Sequence, residues 1–213
     1  MRQLVIDTAT EALSVALFDE GALIAHHHEI AGRGHAEKLI PIIAALPDGG
    51  RADEIIVDQG PGSFTGLRVG LAAARALGYA WNAPVKAYGS LSLIAAIAQE
   101  SHMAAGHDFP LAIALTGGHG ELFWQVFDPC SLELKAAPAS TPIAELANKM
   151  DVATVYGSGA AALIDARGHG DAVIVHADAR AFPMLPVKFL QTDAVPLYGR
   201  GADAVPLAAQ KGG

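Results

Sequence analysis

Alternating apolar and polar stretches at the start of the chain predict a three-stranded antiparallel meander. Residues 4–10 form a buried strand that ends in a polar turn, and residues 12–18 resume as a second strand. The turn at residues 19–21 contains a glycine, which tolerates the positive φ of a tight hairpin. Residues 22–29 then complete the meander as a third strand.

The region after the meander predicts helices that alternate with strands. Apolar residues share one face of a predicted amphipathic helix at residues 35–46, namely Leu39, Ile42, Ile43 and Leu46. The other predicted elements of this half are a strand at residues 54–59, a long helix ending near Trp81, a strand at residues 84–88 and a helix at residues 90–100. The polar stretch 101–108 predicts a boundary between an N-terminal lobe at residues 1–103 and a smaller C-terminal lobe at residues 104–213.

The second half repeats the pattern of the first. Residues 111–128 align with residues 4–19 with one two-residue gap, so that Ile6 matches Ile113 and Phe18 matches Phe127. We expect the following elements after them: a third strand containing leucine, a helix at residues 141–149 capped by Thr141, a strand at residues 153–156, a helix near residues 160–166, a strand at residues 173–176 and a helical stretch ending near Gln191. A duplicated βββαβα unit predicts an α/β protein of the actin-like/RNase H-like class. The tail from Asp203 is rich in small residues and is predicted to be frayed.

Charge and cysteine content narrow the classes of function. Acidic residues outnumber basic ones by 22 to 14, for a formal charge of −8, whereas proteins that bind nucleic acid alone normally present a basic surface. Cys130 is the only cysteine, which excludes an internal disulfide and a cysteine-rich zinc site. The first residues predict a strand and not a signal peptide, and no apolar run is long enough to span a bilayer, so we expect a cytoplasmic protein.

A glycine-rich segment between the strand at residues 54–59 and the long helix is the strongest motif. Backbone N–H groups at a helix N-terminus suit anions, which makes Gly60, Gly62 and Ser63 candidate ligands of a nucleotide or another anion. The segment is not a P-loop, because no Gly-Lys-Ser/Thr follows. The alternative is a tight turn in which Ser63 or Thr65 caps the helix.

Small residues recur at intervals of four along the long helix, at Gly66, Gly70, Ala74 and Gly78. Glycine inside a helix costs roughly 0.5–1 kcal/mol relative to alanine. This ridge therefore indicates close approach by another element, which is either a helix of a partner or part of this protein's own sheet.

The first strand ends in Asp7 and Thr8, where actin-like ATPases place a phosphate-binding loop with an essential aspartate. The matching position of the second half, Thr116, carries no acid. Because an ATPase of this class normally needs carboxylates in both loops to hold magnesium and position water, this pattern disfavours independent ATP hydrolysis.

Histidines do not form a recognisable metal motif. His26, His27 and His28 alternate faces on one strand, and no His-Glu-x-x-His occurs. We expect no metal and no cofactor.

Several segments resemble the TsaB (YeaZ) family, and the run Gly-Pro-Gly-Ser-Phe-Thr-Gly-Leu-Arg at residues 60–68 is the most specific of them. The resemblance is strong over residues 3–100 and weaker beyond, and its matching segments are residues 6–17, 34–41, 60–70, 84–91 and 120–123.

The resemblance implies an actin-like paralogue of the catalytic subunit TsaD, once grouped with the M22 glycoproteases, without that subunit's metal-binding histidines. It implies a complex with TsaD and the ATPase TsaE that transfers threonylcarbamoyl to the adenosine beside the tRNA anticodon. The chain alone would be inactive, would form a homodimer, and would contact tRNA only indirectly and no membrane. The resemblance further implies that the chain pairs with TsaD through two N-terminal helices, at residues 35–46 and 65–81. The candidate interface residues on these helices are His35, Leu39, Ile42, Gly66, Leu67, Gly70, Leu71, Ala74 and Gly78.

The chain departs from the family pattern in the second lobe, which also looks short. Thr116-Gly117-Gly118 stands where the family has an Asp-Ala-Arg-like run, and the C-terminal Pro-x-Tyr-Leu-Arg pattern is Pro196-Leu-Tyr-Gly-Arg200. Two alternatives stay open: an actin-like small-molecule kinase or ATPase, and an M22-type metallopeptidase.

Overall fold

Two five-stranded sheets organise the computed structural model, which describes residues 1–32 and 34–198. The strands of the first sheet are β1 (Arg2–Asp7), β2 (Ala12–Asp19), β3 (Ala22–Ile30), β4 (Glu54–Asp58) and β5 (Val85–Tyr88). They lie in the order β3-β2-β1-β4-β5, in which β1 is antiparallel to β2 and parallel to β4. The predicted meander is confirmed, because β2 also pairs antiparallel with β3.

The second sheet repeats this topology. Its strands are β6 (Leu111–Thr116), β7 (Glu121–Phe127), β8 (Ala139–Pro142), β9 (Thr154–Tyr156) and β10 (Asp171–Val173). Their order is β8-β7-β6-β9-β10, with β6 antiparallel to β7 and parallel to β9. The predicted α/β class of actin-like/RNase H-like, duplicated lobes is therefore confirmed.

The described residues also form five helices, which connect the strands, and three short 3₁₀ segments. The helices are α1 (His35–Ala45), α2 (Phe64–Trp81), α3 (Ser90–Ala104), α4 (Ile143–Lys149) and α5 (Ala160–Arg167). The 3₁₀ segments are Pro47–Gly50, Ala179–Met184 and Val187–Phe189. None of the helices in this part of the chain combines the length and the apolar content that crossing a membrane requires.

Helix α3 lies between the two sheets and packs against both of them. Leu93 and its neighbours form one buried cluster with Val5 and Ile56 of the first sheet and with Leu111 and Ile113 of the second. The other face of the first sheet packs on α1 and α2, and the other face of the second on α4 and α5. Because both faces of each sheet are covered, the central strands are continuous apolar runs.

The third strand of the second sheet lies later in the chain than we expected. The segment after Phe127 turns instead, because the Asp128 carboxylate accepts hydrogen bonds from the backbone N–H groups of Cys130 and Ser131. The strand is formed by Ala139–Pro142, so the prediction that Thr141 caps a helix is wrong. Thr141 Oγ1 accepts a hydrogen bond from Trp124 Nε1 at 2.9 Å, and α4 begins after it.

The helical stretch predicted to end near Gln191 consists of two 3₁₀ segments, because Pro183 and Pro186 interrupt regular helical hydrogen bonding. The predicted strand at residues 173–176 ends at Val173. In the predicted polar linker at residues 101–108, residues 101–104 belong to α3, and the lobe boundary itself stays a prediction. The tail from Asp203, together with residues 199 and 200 of the C-terminal pattern, lies outside the described residues.

After the last 3₁₀ segment the chain returns to the N-terminal lobe. Residues 191–198, which we call the C-terminal strap, extend along the edge of β5 and the loop after β4. Gln191 pairs with Ala87 through hydrogen bonds of 2.9 and 2.8 Å, and the N–H of Leu197 donates to the carbonyl of Gln59 at 2.7 Å. The strap thus holds this late part of the chain against the first sheet.

Candidate functional site

The loop between β4 and α2 packs tightly against the turn between β1 and β2. A Cβ atom on Gly62 would lie 2.0 Å from the carbonyl oxygen of Ala9, so only glycine fits there. The N–H of Ser63 donates to the same carbonyl at 2.6 Å, and the Ser63 hydroxyl accepts from the N–H of Gly66 at 3.3 Å. The Ser63 hydroxyl therefore caps α2, as one of the two sequence interpretations expected.

These contacts occupy several groups that an anion would use. The N–H of Gly60 donates to Asp58 Oδ1 at 2.8 Å, and those of Ser63 and Gly66 also have partners inside the protein. Gly60 has a φ of +99°, and a Cβ there would lie 2.8 Å from the carbonyl oxygen of Leu197 in the C-terminal strap. Anion or nucleotide binding at Gly60, Gly62 and Ser63 stays a prediction, and the internal hydrogen bonds give it no support.

The ridge of small residues on α2 faces the protein's own sheet. A Cβ atom on Gly66 would lie 2.0 Å from the carbonyl oxygen of Thr8, and one on Gly70 would lie 2.4 Å from Thr8 Oγ1. A Cβ atom on Gly78 would lie 2.6 Å from Val85 Cγ2. The Ala74 side chain has no exposed surface. Of the two interpretations of the ridge, the geometry supports packing inside this chain.

Most of the other candidate interface residues also face the interior of the protein. Leu67 and Leu71 are buried on α2, as are His35 and Leu39 on α1, whereas Ile42 is half-buried. The His35 ring is held by the carbonyl of Ala12, 3.3 Å from Nε2. A partner that docks on these helices would therefore contact residues other than most of those predicted. The predicted interface stays a prediction, to which the outward faces of the two helices must contribute.

The exposed side of α2, opposite the ridge, carries large aromatic and basic residues. Tyr79 is 93% exposed and Phe64 is 55% exposed, although both are large aromatic residues. Exposed arginines and alanines share this side of the helix, at positions 68, 72, 75, 76 and 80. The helix contains two arginines and no acidic residue, in a chain with a formal charge of −8. We call these exposed residues of α2 the outward face; their spacing of three and four was visible in the sequence.

A pair of buried carboxyl groups lies at the ends of β1 and β4. Asp7 and Asp58 have no exposed surface, and they lie close enough for the charge of Asp7 to act on Asp58. Asp7 Oδ2 accepts from the Tyr88 hydroxyl at 2.8 Å, and Asp58 Oδ2 accepts from the Ser90 hydroxyl at 2.7 Å. Burial raises the pKa of Asp7 to about 6, and burial together with the charge of Asp7 raises the pKa of Asp58 well above its usual range.

The buried environment limits the ability of Asp7 and Thr8 to bind a ligand. Two carboxyl groups that share a buried site without a nearby cation retain a proton between them. Asp7 is fully buried and Thr8 is 1% exposed, with its hydroxyl donating to the carbonyl of Gly66 at 2.8 Å. As folded, neither side chain is open to a ligand, and their predicted role in nucleotide binding has no support from the geometry.

The corresponding turn of the second lobe has a different character. Thr116 ends β6 at an exposed position, and its N–H donates to the Ser158 hydroxyl at 3.2 Å. Among residues 1–32 and 34–198, no group of three or more His, Cys, Asp and Glu side chains is arranged to hold a metal ion.

Comparison with known proteins gives matches over different lengths of the chain. The family model described as "TsaD: tRNA N6-adenosine threonylcarbamoyltransferase" matches residues 26–156. The tRNA threonylcarbamoyladenosine biosynthesis protein TsaB of Escherichia coli is 35% identical over 129 residues, which are 58% of this chain and 54% of the relative. The TsaB protein of Haemophilus influenzae is 39% identical over 106 residues, 47% of this chain and 44% of the relative. The chain therefore spans about half the length of the curated relatives it matches.

Solved structures match nearly the whole chain. YeaZ from Pseudomonas aeruginosa superposes with a TM-score of 0.73 at 25% identity and covers 92% of this chain and 99% of its own. A second Pseudomonas aeruginosa structure, described as an uncharacterized protein with similarity to peptidase YEAZ, has a TM-score of 0.74 at 25% identity, with 93% and 99% covered.

Proposed function

From the premise that the chain belongs to the TsaD family of tRNA N6-adenosine threonylcarbamoyltransferases, and within it to the TsaB (YeaZ) group, we propose that it is a non-catalytic partner subunit in tRNA threonylcarbamoyladenosine biosynthesis. It binds the catalytic subunit TsaD and activates it, and the ATPase TsaE joins the same complex. The purified chain alone forms a homodimer through the same surface.

The outward face of α2 is the observation that carries this proposal. Exposed Phe, Tyr and Arg side chains are typical of the centres of protein interfaces, where they dominate the binding energy. Phe64 and Tyr79 lie at opposite ends of the helix, and the exposed alanines between them allow the backbone of another helix to come close. On α1, which packs beside α2, Ile40 is a further large apolar residue with much of its surface exposed, at 49%.

The buried carboxyl pair supports an accessory role over an enzymatic one. Asp7 is the acid that an actin-like ATPase would use in its first phosphate loop, and here it is fully buried against Asp58 and Tyr88. The second loop offers Thr116 in place of an acid. The formal charge of −8 further supports contact with tRNA through a more basic partner.

The partner role is tested by adding an acid to the outward face. Ala76 is exposed, so Ala76→Glu leaves the core unchanged while adding bulk and negative charge where α2 has none. Ala162→Glu on α5 is the matched control, since Ala162 is also an exposed helical alanine but lies on the other lobe. Calorimetric titration with TsaD should show at least about tenfold weaker binding for Ala76→Glu and no change for Ala162→Glu.

Activity gives the second arm of this test. Wild-type chain should give no threonylcarbamoylation of tRNA alone and should stimulate the reaction of TsaD with TsaE, whereas Ala76→Glu should stimulate it less at equal concentration. Equal affinity and equal stimulation for the Ala76→Glu and wild-type proteins would refute the proposed docking surface. Modification of tRNA by the chain alone would refute the accessory role.

A further inference from the structure

The C-terminal strap is attached to the N-terminal lobe at several independent points. Besides the pairing of Gln191 with Ala87, the N–H of Val195 donates to Gln59 Oε1 at 3.2 Å. Arg75 of α2 donates from Nη2 to the carbonyl of Ala194 at 2.6 Å. The C-terminal strap is thereby held beside α2.

The strap ends in an aromatic contact on the outward face. The rings of Tyr198 and Phe64 have centroids 5.6 Å apart and are tilted by 37°. Both side chains remain half-exposed, at 47% and 55%. On Phe64 lies the guanidinium of Arg68, with Cζ 3.5 Å from the ring centroid. We call Arg68, Phe64 and Tyr198 the aromatic stack.

The aromatic stack contains one charged group, the guanidinium of Arg68. Within residues 1–32 and 34–198, Arg68 forms no ion pair or hydrogen bond through its side chain, and its guanidinium contacts the Phe64 ring. A guanidinium held over an aromatic ring still has N–H groups that can donate, and a carboxylate can accept two of them. No acid of α2 competes for it, because the helix has none.

We propose that the C-terminal strap is part of the docking surface, with the aromatic stack as an anchor for a protein segment that presents a carboxylate beside apolar side chains. This inference rests on the proposed function and specifies that surface further: the partner contacts α2 and the C-terminal strap together. Rigid aromatic side chains lose little conformational entropy on binding, and arginine adds the charge that selects an acidic partner.

The experiment compares the affinity of TsaD for variants of the stack. Tyr198→Ala and Arg68→Gln should each weaken binding by at least about tenfold. Tyr198→Phe, which keeps the ring, should bind within about threefold of wild type, because the contact with Phe64 uses the ring. Val187→Ala is the matched control: it also shortens an apolar side chain near the C-terminus, is 80% exposed and lies outside the strap, so it should leave the affinity unchanged.

A double variant tests whether the residues act as one unit. If they do, combining Tyr198→Ala with Arg68→Gln should weaken binding by less than the product of the two single effects. Thermal unfolding of each variant gives the structural control. If Tyr198→Ala lowers the unfolding temperature, its weaker binding could reflect a displaced strap. The affinity of Arg68→Gln then tests the role of the stack, because this substitution leaves every hydrogen bond of the strap in place.

Different outcomes separate this inference from the proposed function. Normal binding by Tyr198→Ala, with Ala76→Glu impaired, would overturn the role of the strap and leave the docking surface on α2. Normal binding by Arg68→Gln would overturn the stack as a charge-selective anchor. Normal binding by all of these variants, or no binding by wild type, would overturn the docking surface and the inference together.

Discussion

Replacing Asp7 by Asn should make the protein more stable at neutral pH than the wild type. The change keeps an oxygen that accepts from the Tyr88 hydroxyl and adds an N–H₂ group that can donate to the neighbouring Asp58. An uncharged donor then replaces a carboxyl group that must share a proton. The stability of the variant then no longer depends on pH through residue 7.

The magnitude follows from the pKa of Asp7, which is about 6 in the folded protein against 3.8 for an Asp exposed to water. Because the folded state keeps a proton that the unfolded state has already released, stability falls as pH rises between these two values. A difference of about two pKa units at 1.36 kcal/mol each amounts to about 3 kcal/mol, which the wild type loses between about pH 4 and pH 7 through this group. Asp7→Asn should not show this loss.

Urea unfolding followed by tryptophan fluorescence at a series of pH values between about 4 and 8 measures the effect. The free energy of unfolding of Asp7→Asn relative to wild type should rise by about 3 kcal/mol from the acid to the neutral end of the series. Asp151→Asn is the control, since the Asp151 side chain is 88% exposed and lies outside the buried pair. A variant that is uniformly less stable, with the pH dependence of wild type, would show that Asp7 carries no raised pKa.

Two further substitutions test the packing of α2. Gly70→Leu should destabilise the protein by at least about 2 kcal/mol in urea unfolding, since even its Cβ would lie 2.4 Å from Thr8 Oγ1. Ala72→Leu on the outward face is the control and should change the free energy of unfolding by less than about 0.5 kcal/mol. Equal stability of the two variants would contradict an inward ridge. Ser63→Ala should cost about 1 kcal/mol by the same assay because it removes the acceptor of the Gly66 N–H, and an unchanged midpoint would show that the cap contributes nothing.

The first sheet could be predicted almost completely from the sequence, because its information is local. Alternation, apolar runs and the glycine at residue 21 each act over a few positions, and they indicate strands and a hairpin without reference to the rest of the chain. The match between residues 4–19 and 111–128 then indicated the topology of the second sheet. The strand Ala139–Pro142 was missed because it is short and polar, and it is defined by its pairing with β7.

The direction of the ridge on α2 could not be predicted, for a different reason. A spacing of four residues shows that Gly66, Gly70, Ala74 and Gly78 share one side of a helix, but it does not show which side meets the sheet. The buried carboxyl pair joins residue 7 to residue 58, and the C-terminal strap pairs residue 191 with residue 87. Contacts of this kind depend on the packed fold and leave no periodic pattern in the sequence.

The position of α3 between the sheets also bears on how the lobes fold and move. Leu93 and Ile94 share one buried cluster with strands of both sheets, so neither lobe has a complete core without the helix and the opposite sheet. Separate expression of either half would leave a broad apolar surface in water, and we expect co-expressed fragments to recover a native complex by complementation. Hinge opening between the lobes would expose the same surface, so the chain should behave as one cooperative foldon in hydrogen exchange.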